Sequence, residues 1–291
     1  MKNSSFSIHD LSKFTDVASR YRMEGGELLH IDFYNADNIG AAGSINSNVI
    51  DMSNWLIMQL NKGVFKGKQV VKSSTLEFLQ KPAMVVNSSI DYPELDYLNY
   101  GIGWYVTAYR GDLFLRHAGA LDGVSTLTSF MPNQKVGVII IANLDGAKNF
   151  NMASTLFIYD VINGNEPVDW NKRFLDEKAV SDEKIAKANE EEEKNIVKNT
   201  KPSHKLSDYI GTYSNTPYGN FVVKLNGEKL SFSYNSFSFD LKHVMYDIFE
   251  IQNEYVFDYM KVRFETDMDG NISYLYVPME GKSEDFKFIK E

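Results

Sequence analysis

Apolar positions in the first half of the chain repeat with two different periods. Between Ser47 and Asn61, Met52, Trp55, Leu56 and Leu60 recur at the spacing that places side chains on one face of a helix. Ser47 is the expected N-cap, Asp51 falls near the helix start, and Gly63 follows the end. A shorter helix is expected from Ser73 to Gln80, capped by Ser73 or Ser74 and followed by Pro82.

From Tyr100 to Leu144 the pattern changes to strands: Gly101–Val106, Leu113–Arg116, Ser125–Phe130 and Val136–Ala142, with turn residues at Gly111-Asp112 and Pro132-Asn133. Adjacent strands joined by short turns predict an antiparallel meander. The run Val138-Ile139-Ile140-Ile141 is apolar at every position instead of every second one, so both of its faces should be covered. A helix over Met152–Ile162, with Leu156, Tyr159 and Ile162 on one side, is expected to supply one cover.

Residues 171–198 are rich in Glu, Lys and Ala, include Glu190-Glu191-Glu192-Glu193, and read as a solvated, partly helical linker closed by Pro202. After Leu206 short alternating strands take over. Phe221, Val223 and Leu225 share one face, then Leu230, Phe232 and Tyr234, then Phe237, Phe239 and Leu241. Turns fall at Asn226-Gly227, Asn235-Ser236 and Asp269-Gly270-Asn271. So many strands in so short a segment imply a small closed barrel, because closure removes unpaired edges. The expected organisation is an α+β domain over residues 1–165, a charged linker over 166–205 and a small all-β barrel over 206–291.

Composition narrows the function classes. At 291 residues with 43% hydrophobic content the chain can bury a core, and a net charge of −9 with a pI near 5.2 argues against a nucleic-acid partner. The absence of cysteine excludes disulfides, thiolate metal sites and a cysteine nucleophile. No run is apolar and long enough to span a membrane as a helix, and no signal-peptide core follows Met1-Lys2-Asn3-Ser4-Ser5. His9, His30, His117, His204 and His243 lack zinc-ligand spacing, so neither a metal nor any other cofactor is expected.

Three segments of the first domain could carry chemistry: Gly40-Ala41-Ala42-Gly43-Ser44, Tyr100-Gly101-Ile102-Gly103-Trp104, and His117-Ala118-Gly119 at a strand end. Taken singly, a histidine at a strand end is more often a structural hydrogen-bonding residue, and glycine-rich turns are ordinary. Their order changes that weighing. Together with Lys2-Asn3-Ser4-Ser5-Phe6, Asp51-Met52-Ser53-Asn54-Trp55-Leu56 and Ala142-Asn143, they resemble the C-terminal half of the catalytic domain of β-lactamase-related serine hydrolases. That group includes class C β-lactamases, penicillin-binding DD-peptidases and esterases.

The resemblance implies an antiparallel sheet with packed helices, of which His117-Ala118-Gly119 would be the box beside the active site. His117 would face the substrate cleft and donate a hydrogen bond to a carboxylate or catalytic hydroxyl. Gly119 would let the strand approach a bound acyl group, and the Ala120 N–H would be one oxyanion-hole donor. The segment from Leu206-Ser207-Asp208-Tyr209 to Phe286-Lys287-Phe288, introduced by Pro202-Ser203-His204, resembles the lipocalin-like barrel appended to many of these hydrolases.

The family's nucleophile is the serine of a Ser-x-x-Lys pair, in which the lysine amine stands beside an otherwise weakly nucleophilic hydroxyl. That pair and the Tyr-x-Asn box following it are expected before the region resembling Met1 and have no counterpart here. Ser181-Asp182-Glu183-Lys184 fits formally but lies in the charged linker. Tyr97-Leu98-Asn99, Tyr213-Ser214-Asn215 and Tyr218-Gly219-Asn220 fit Tyr-x-Asn by coincidence in a chain rich in both residues.

The leading expectation is therefore a fragment of an amide- or ester-cleaving acyl-serine hydrolase that is inert alone. The alternatives are a non-catalytic binding or scaffold module using the barrel, and one half of a split hydrolase completed by another polypeptide. A small acyl or peptide substrate is implied for the complete family, and a homo-oligomer is a further alternative. Relatives are often exported, but this sequence assigns no location.

Overall fold

The structure, a computed structural model, describes residues 1–86, 92–253, 260–280 and 284–291. The chain forms two compact units, Met1–Val180 and Ser181–Glu291.

The first unit opens with a hairpin, β1 (Arg20–Glu24) and β2 (Glu27–Ile31), which turns through Gly25 and Gly26 at positive φ. A single helical turn, α1 (Gly40–Gly43), precedes α2 (Val49–Leu60), the two-residue strands β3 (Val64–Phe65) and β4 (Lys68–Gln69), and α3 (Ser73–Leu79). An antiparallel meander follows: β5 (Met84–Val85), β6 (Leu95–Tyr100), β7 (Tyr105–Tyr109), β8 (Asp112–Leu121), β9 (Val124–Met131) and β10 (Val136–Ala142), in the spatial order β10-β9-β8-β7-β6-β5. Helices α4 (Lys148–Ile162) and α5 (Trp170–Asn195) complete it, and the division between the units falls inside α5.

The meander's two faces are covered unequally. On one, Leu56 of α2 packs with Trp104, Val106, Leu115 and Phe130, and Ile139 joins from β10. Gly137 permits this approach, since a Cβ there would lie 2.4 Å from Leu56 Cδ2. The opposite face packs Phe114, Met131 and Val138 against Leu156 and Tyr159 of α4, with Trp170 of α5 alongside. Each large side chain buried this way contributes about 1.5–3 kcal/mol relative to exposure. The expected double cover of the isoleucine run holds through Ile140. Ile141 remains 38% exposed because α2 covers only part of its face.

Several expectations are corrected. Asn48, not Ser47, caps α2 by accepting the Asp51 N–H at 3.0 Å, while Ser47 Oγ lies 2.8 Å from Ser4 Oγ. Lys72 precedes α3 without a side-chain cap, and the Ser73 hydroxyl donates to Glu77 at 3.2 Å. Gly101–Trp104 is a turn between β6 and β7 instead of part of a strand. Gly101 is required there because a Cβ would stand 2.6 Å from the Leu79 carbonyl oxygen. His117-Ala118-Gly119 lies within β8, which runs on to Leu121. Ile162 is 52% exposed, off the buried side of α4. The charged segment is one continuous helix, and its first turn is not solvated: Trp170 is buried and Phe174 packs beside it.

The second unit holds a closed antiparallel barrel of eight strands. They are β11 (Gly211–Asn215), β12 (Gly219–Asn226), β13 (Lys229–Tyr234), β14 (Phe237–Met245), β15 (Ile248–Ile251), β16 (Lys261–Thr266), β17 (Ile272–Val277) and β18 (Phe286–Lys290). Closure comes from β11 pairing with β18, Tyr213 opposite Lys290. Aromatic rings fill the interior: Phe221 stacks on Phe232 at 4.5 Å and meets Phe288 at 4.7 Å, and Tyr213, Phe249 and Phe264 are fully buried or nearly so. The turns at Asn226-Gly227, Asn235-Ser236 and Asp269-Gly270-Asn271 stand where expected, but Leu225, expected beside Phe221 and Val223, is exposed.

Candidate active-site cleft

Beyond the contact with α2, the same sheet face is open and becomes the wall of a cleft of about 710 Å³. Register brings its residues together: Gly119 opposite Thr126, Leu121 opposite Val124, and Ile141 opposite Thr126. Gly119, Ala120, Thr126 and Ile141 line the cleft together with α1 and the start of α2. A side chain at Gly119 would put its Cβ 2.7 Å from Thr126 Oγ1, so glycine is needed for the flat wall.

The N-terminal segment is tied to α2 through Asp51, which accepts from the Asn3 N–H at 2.7 Å and the Ser4 hydroxyl at 2.9 Å. Burial would raise the Asp51 carboxyl, but these hydrogen bonds outweigh it and hold it below the usual range. Ser5 and Asn46 exchange backbone hydrogen bonds of 2.9 Å, which keeps Ser4, Ser5 and the Gly40–Ser44 segment in one neighbourhood. Ser44 donates to the Gly40 carbonyl at 2.9 Å and so closes the helical turn that the glycine-rich segment forms.

β7 pairs with β8 only as far as Arg116, opposite Tyr105. From His117 to Leu121 the strand has β9 on one side and no described strand on the other. An antiparallel ladder uses alternate residues on each side. Every second backbone N–H of this stretch therefore lies outside the β8–β9 ladder. Ala120 belongs to the stretch and is exposed.

His117 is exposed as well and is not among the residues lining the cleft, although it shares a sheet face with Gly119. Its Nδ1 lies 2.7 Å from the Ala118 carbonyl oxygen, and its Nε2 lies 3.0 Å from the Tyr100 hydroxyl. A carbonyl only accepts, so in the neutral ring Nδ1 carries the proton and Nε2 accepts from Tyr100. The rings of Tyr100 and Tyr105 meet at 4.9 Å beside it, and the Arg116 guanidinium lies 5.2 Å from the Tyr105 ring.

Residues 2–157 match the model of the Beta-lactamase family, just over half of the chain. The chain belongs to the beta-lactamase family. Residues 196–289 match a domain of unknown function, DUF3471, over the barrel. The Unguisins hydrolase ungD of Aspergillus violaceofuscus (strain CBS 115571) is 30% identical over 90 residues, 29% of this chain and 16% of that protein. The octameric penicillin-binding protein homologue from Pyrococcus abyssi aligns with 100% of this chain and 57% of its own, at 17% identity and TM-score 0.49. The C-terminal domain of penicillin binding protein Rv0907 aligns with 33% of this chain and 95% of its own, at 25% identity and TM-score 0.27. This beta-lactamase family chain thus spans less than two thirds of the length of the fungal relative and of the Pyrococcus homologue.

Within this family member, the residues that formally fit Ser-x-x-Lys and Tyr-x-Asn lie in α5, in β6 and in the barrel. Ser181 and Lys184 occupy exposed turns of α5, where open water surrounds both. Tyr97 and Asn99 sit on β6, while Tyr213-Ser214-Asn215 and Tyr218-Gly219-Asn220 belong to the barrel. Among the described residues no three of His, Asp and Glu converge as metal ligands, and no helix is long and apolar enough to cross a membrane. The β1–β2 hairpin, which brings Arg20 to the cleft, was missed in the sequence. Gly25-Gly26 was its one turn signal.

Proposed function

We propose that this chain supplies the sheet wall and the histidine box of an acyl-serine hydrolase site, and that it neither cleaves amides or esters nor becomes acylated by itself. The supporting observation is the make-up of the cleft. No lysine is among the described residues that line it, and its one serine there, Ser47, is hydrogen-bonded to Ser4 at 2.8 Å. A serine hydroxyl without an adjacent base stays protonated and weakly nucleophilic at neutral pH. In this reading Ala120 N–H is one oxyanion donor, Gly119 gives the acyl group room, and His117, oriented by Tyr100, is the polar group at the cleft margin.

The test is incubation of the purified chain with a fluorescent penicillin, a chromogenic cephalosporin and a p-nitrophenyl ester. The expected result is neither covalent labelling nor turnover. Labelling that maps to a serine of this chain would overturn the proposal.

A specific feature favours the split-hydrolase alternative over the barrel-binding one. Ile45, Val49 and Ile50 at the cleft are 58%, 48% and 74% exposed, an apolar surface suited to a covering segment that bears Ser-x-x-Lys. The barrel interior, by contrast, is occupied by its own rings. Adding such a segment as a second polypeptide should restore penicillin labelling, and failure to do so would remove this alternative.

A further inference from the structure

Arg20, the first residue of β1, lines the cleft yet is only 5% exposed. Its guanidinium lies over the ring of Phe33, 4.5 Å from the centroid, and Phe33 lines the same cleft. Nη1 is buried without a hydrogen-bond partner among the described residues. Withdrawing a guanidinium from water without supplying an anion is unfavourable, so such a group is either strained or waiting for a ligand.

Its position is not that of a loose surface side chain. Asn143 Nδ2 donates to the Ser19 carbonyl at 3.0 Å, and the Asp145 N–H donates to the Tyr21 carbonyl at 2.9 Å, fixing both neighbours of Arg20 to the end of β10. On the other side, Gly123 at the β8–β9 turn leaves room for Arg20, because a Cβ there would stand 2.6 Å from Arg20 Cβ. Burial lowers the hold of Arg20 on its proton. Asp122 opposes this through space, but no ion pair joins the two.

We propose that Arg20 is an anion subsite of the cleft and that it receives a carboxylate carried on an acyl ligand, whose apolar part lies against Leu121, Val124 and Ile141. Arg20 is the sole basic residue among the described cleft-lining residues, and those three apolar side chains line the cleft with it. A single guanidinium offers a planar fork that matches a carboxylate or a phosphate in bidentate fashion, and the apolar side chains beside it favour a carboxylate borne on a hydrocarbon chain over inorganic phosphate. The assignment rests on the proposed role of the cleft as an acyl-binding site but not on the chain being inert.

The test is a titration of the ¹⁵N-labelled full chain with glutarate, with neutral glutaramide and with inorganic phosphate. Glutarate should move the amide signals of Ser19–Tyr21, Leu121–Val124 and Asn143 saturably, with glutaramide and phosphate each about tenfold weaker. Arg20→Gln should weaken glutarate about tenfold with dispersion of the spectrum retained, and Asp122→Asn should leave glutarate binding unchanged or tighter. Equal shifts from glutaramide, tighter binding of phosphate, or an Arg20→Gln variant that binds as before would overturn the proposal. Loss of glutarate binding in Asp122→Asn would also overturn it, assigning Arg20 to an ion pair with Asp122. If Arg20→Gln fails to fold, the two wild-type comparisons and Asp122→Asn decide. Acylation by a penicillin would overturn the inert reading and leave this one standing, whereas absent glutarate binding removes this one alone.

Discussion

The hydroxyl of Tyr109 on β7 donates a 2.7 Å hydrogen bond to the carboxylate of Asp160, a fully buried residue on α4. Arg110 Nε donates to the same oxygen at 2.8 Å, the Val168 N–H reaches the other at 3.2 Å, and Trp170 Nε1 donates to the Tyr109 hydroxyl at 3.2 Å. One buried carboxylate thus joins the sheet, α4 and the start of α5. Asp160→Ala would leave the Tyr109 hydroxyl and the Arg110 guanidinium without their acceptor. The expected loss is roughly 3–5 kcal/mol of stability in the first unit, measured by urea unfolding followed through tryptophan fluorescence.

Burial, together with the hydrogen bond to Asp160, pushes the Tyr109 phenol up to about 12, and in the barrel burial and Asp247 push Tyr209 up to about 12. A phenol that holds its proton more tightly when folded adds stability that is fully present below its unfolded value. That stability is lost as pH rises from about 10 toward 12. The native chain should therefore ionise these tyrosines late. Phenolate absorbance should rise together with loss of tertiary structure near the top of that window. Smooth ionisation of every tyrosine near pH 10 in a still-folded chain would refute this.

Asp247 draws Pro202-Ser203-His204 onto the barrel: it accepts from the Ser203 N–H at 2.9 Å, the Ser203 hydroxyl at 2.7 Å and the Tyr209 hydroxyl. Burial would raise this carboxyl, but the hydrogen bonds outweigh it and hold it below the usual range. Its contribution is present above the unfolded value of about 3.9 and disappears as pH falls through the depressed folded value. Asp247→Asn should lower barrel stability by roughly 1–3 kcal/mol at neutral pH and flatten the acid limb of the stability profile. An unchanged acid limb would assign the acid sensitivity elsewhere.

Gly137 sets how closely α2 lies on β10. Gly137→Ala should displace Leu56 and cost about 1–3 kcal/mol by overpacking. Leu56→Ala in the same chain should recover part of that loss, read as coupling in a double-mutant cycle. Additive losses would mean that the two positions do not share the space.

His117 should carry its proton on Nδ1 when neutral, because the Ala118 carbonyl accepts there and Tyr100 donates to Nε2. Long-range ¹H–¹⁵N correlation spectra report the tautomer directly. Tyr100→Phe should change the Nε2 shift while leaving the fold intact. An Nε2–H tautomer in the wild-type chain would contradict the assignment.

Period and turn chemistry made most elements legible. The α2 stripe of Trp55, Leu56 and Leu60, the all-apolar Val138–Ile141 run, and the Asn226-Gly227 turn each have a local cause that holds whatever surrounds them. The misreadings have non-local causes. Gly101–Trp104 looks strand-like until Leu79 is seen against Gly101, and the charged helix looks fully solvated until Trp170 meets Tyr109. The candidate box His117-Ala118-Gly119 was visible as text, but its hydrogen bond to Tyr100 and the separation of His117 from the cleft lining were not.

By itself, then, the sequence determined most of the succession of helices and strands and the alternating aromatic strands of the barrel, because these depend on residues close together in the chain. Only the tertiary structure decided that α2 covers part of one sheet face and leaves Ile141 open, and that Arg20 meets Phe33, Gly123 and the end of β10. Apart from Arg20 and Phe33, those relationships join positions roughly 80–125 residues apart. No local periodicity encodes them, since the partners become neighbours only when the meander closes and the hairpin docks against its end.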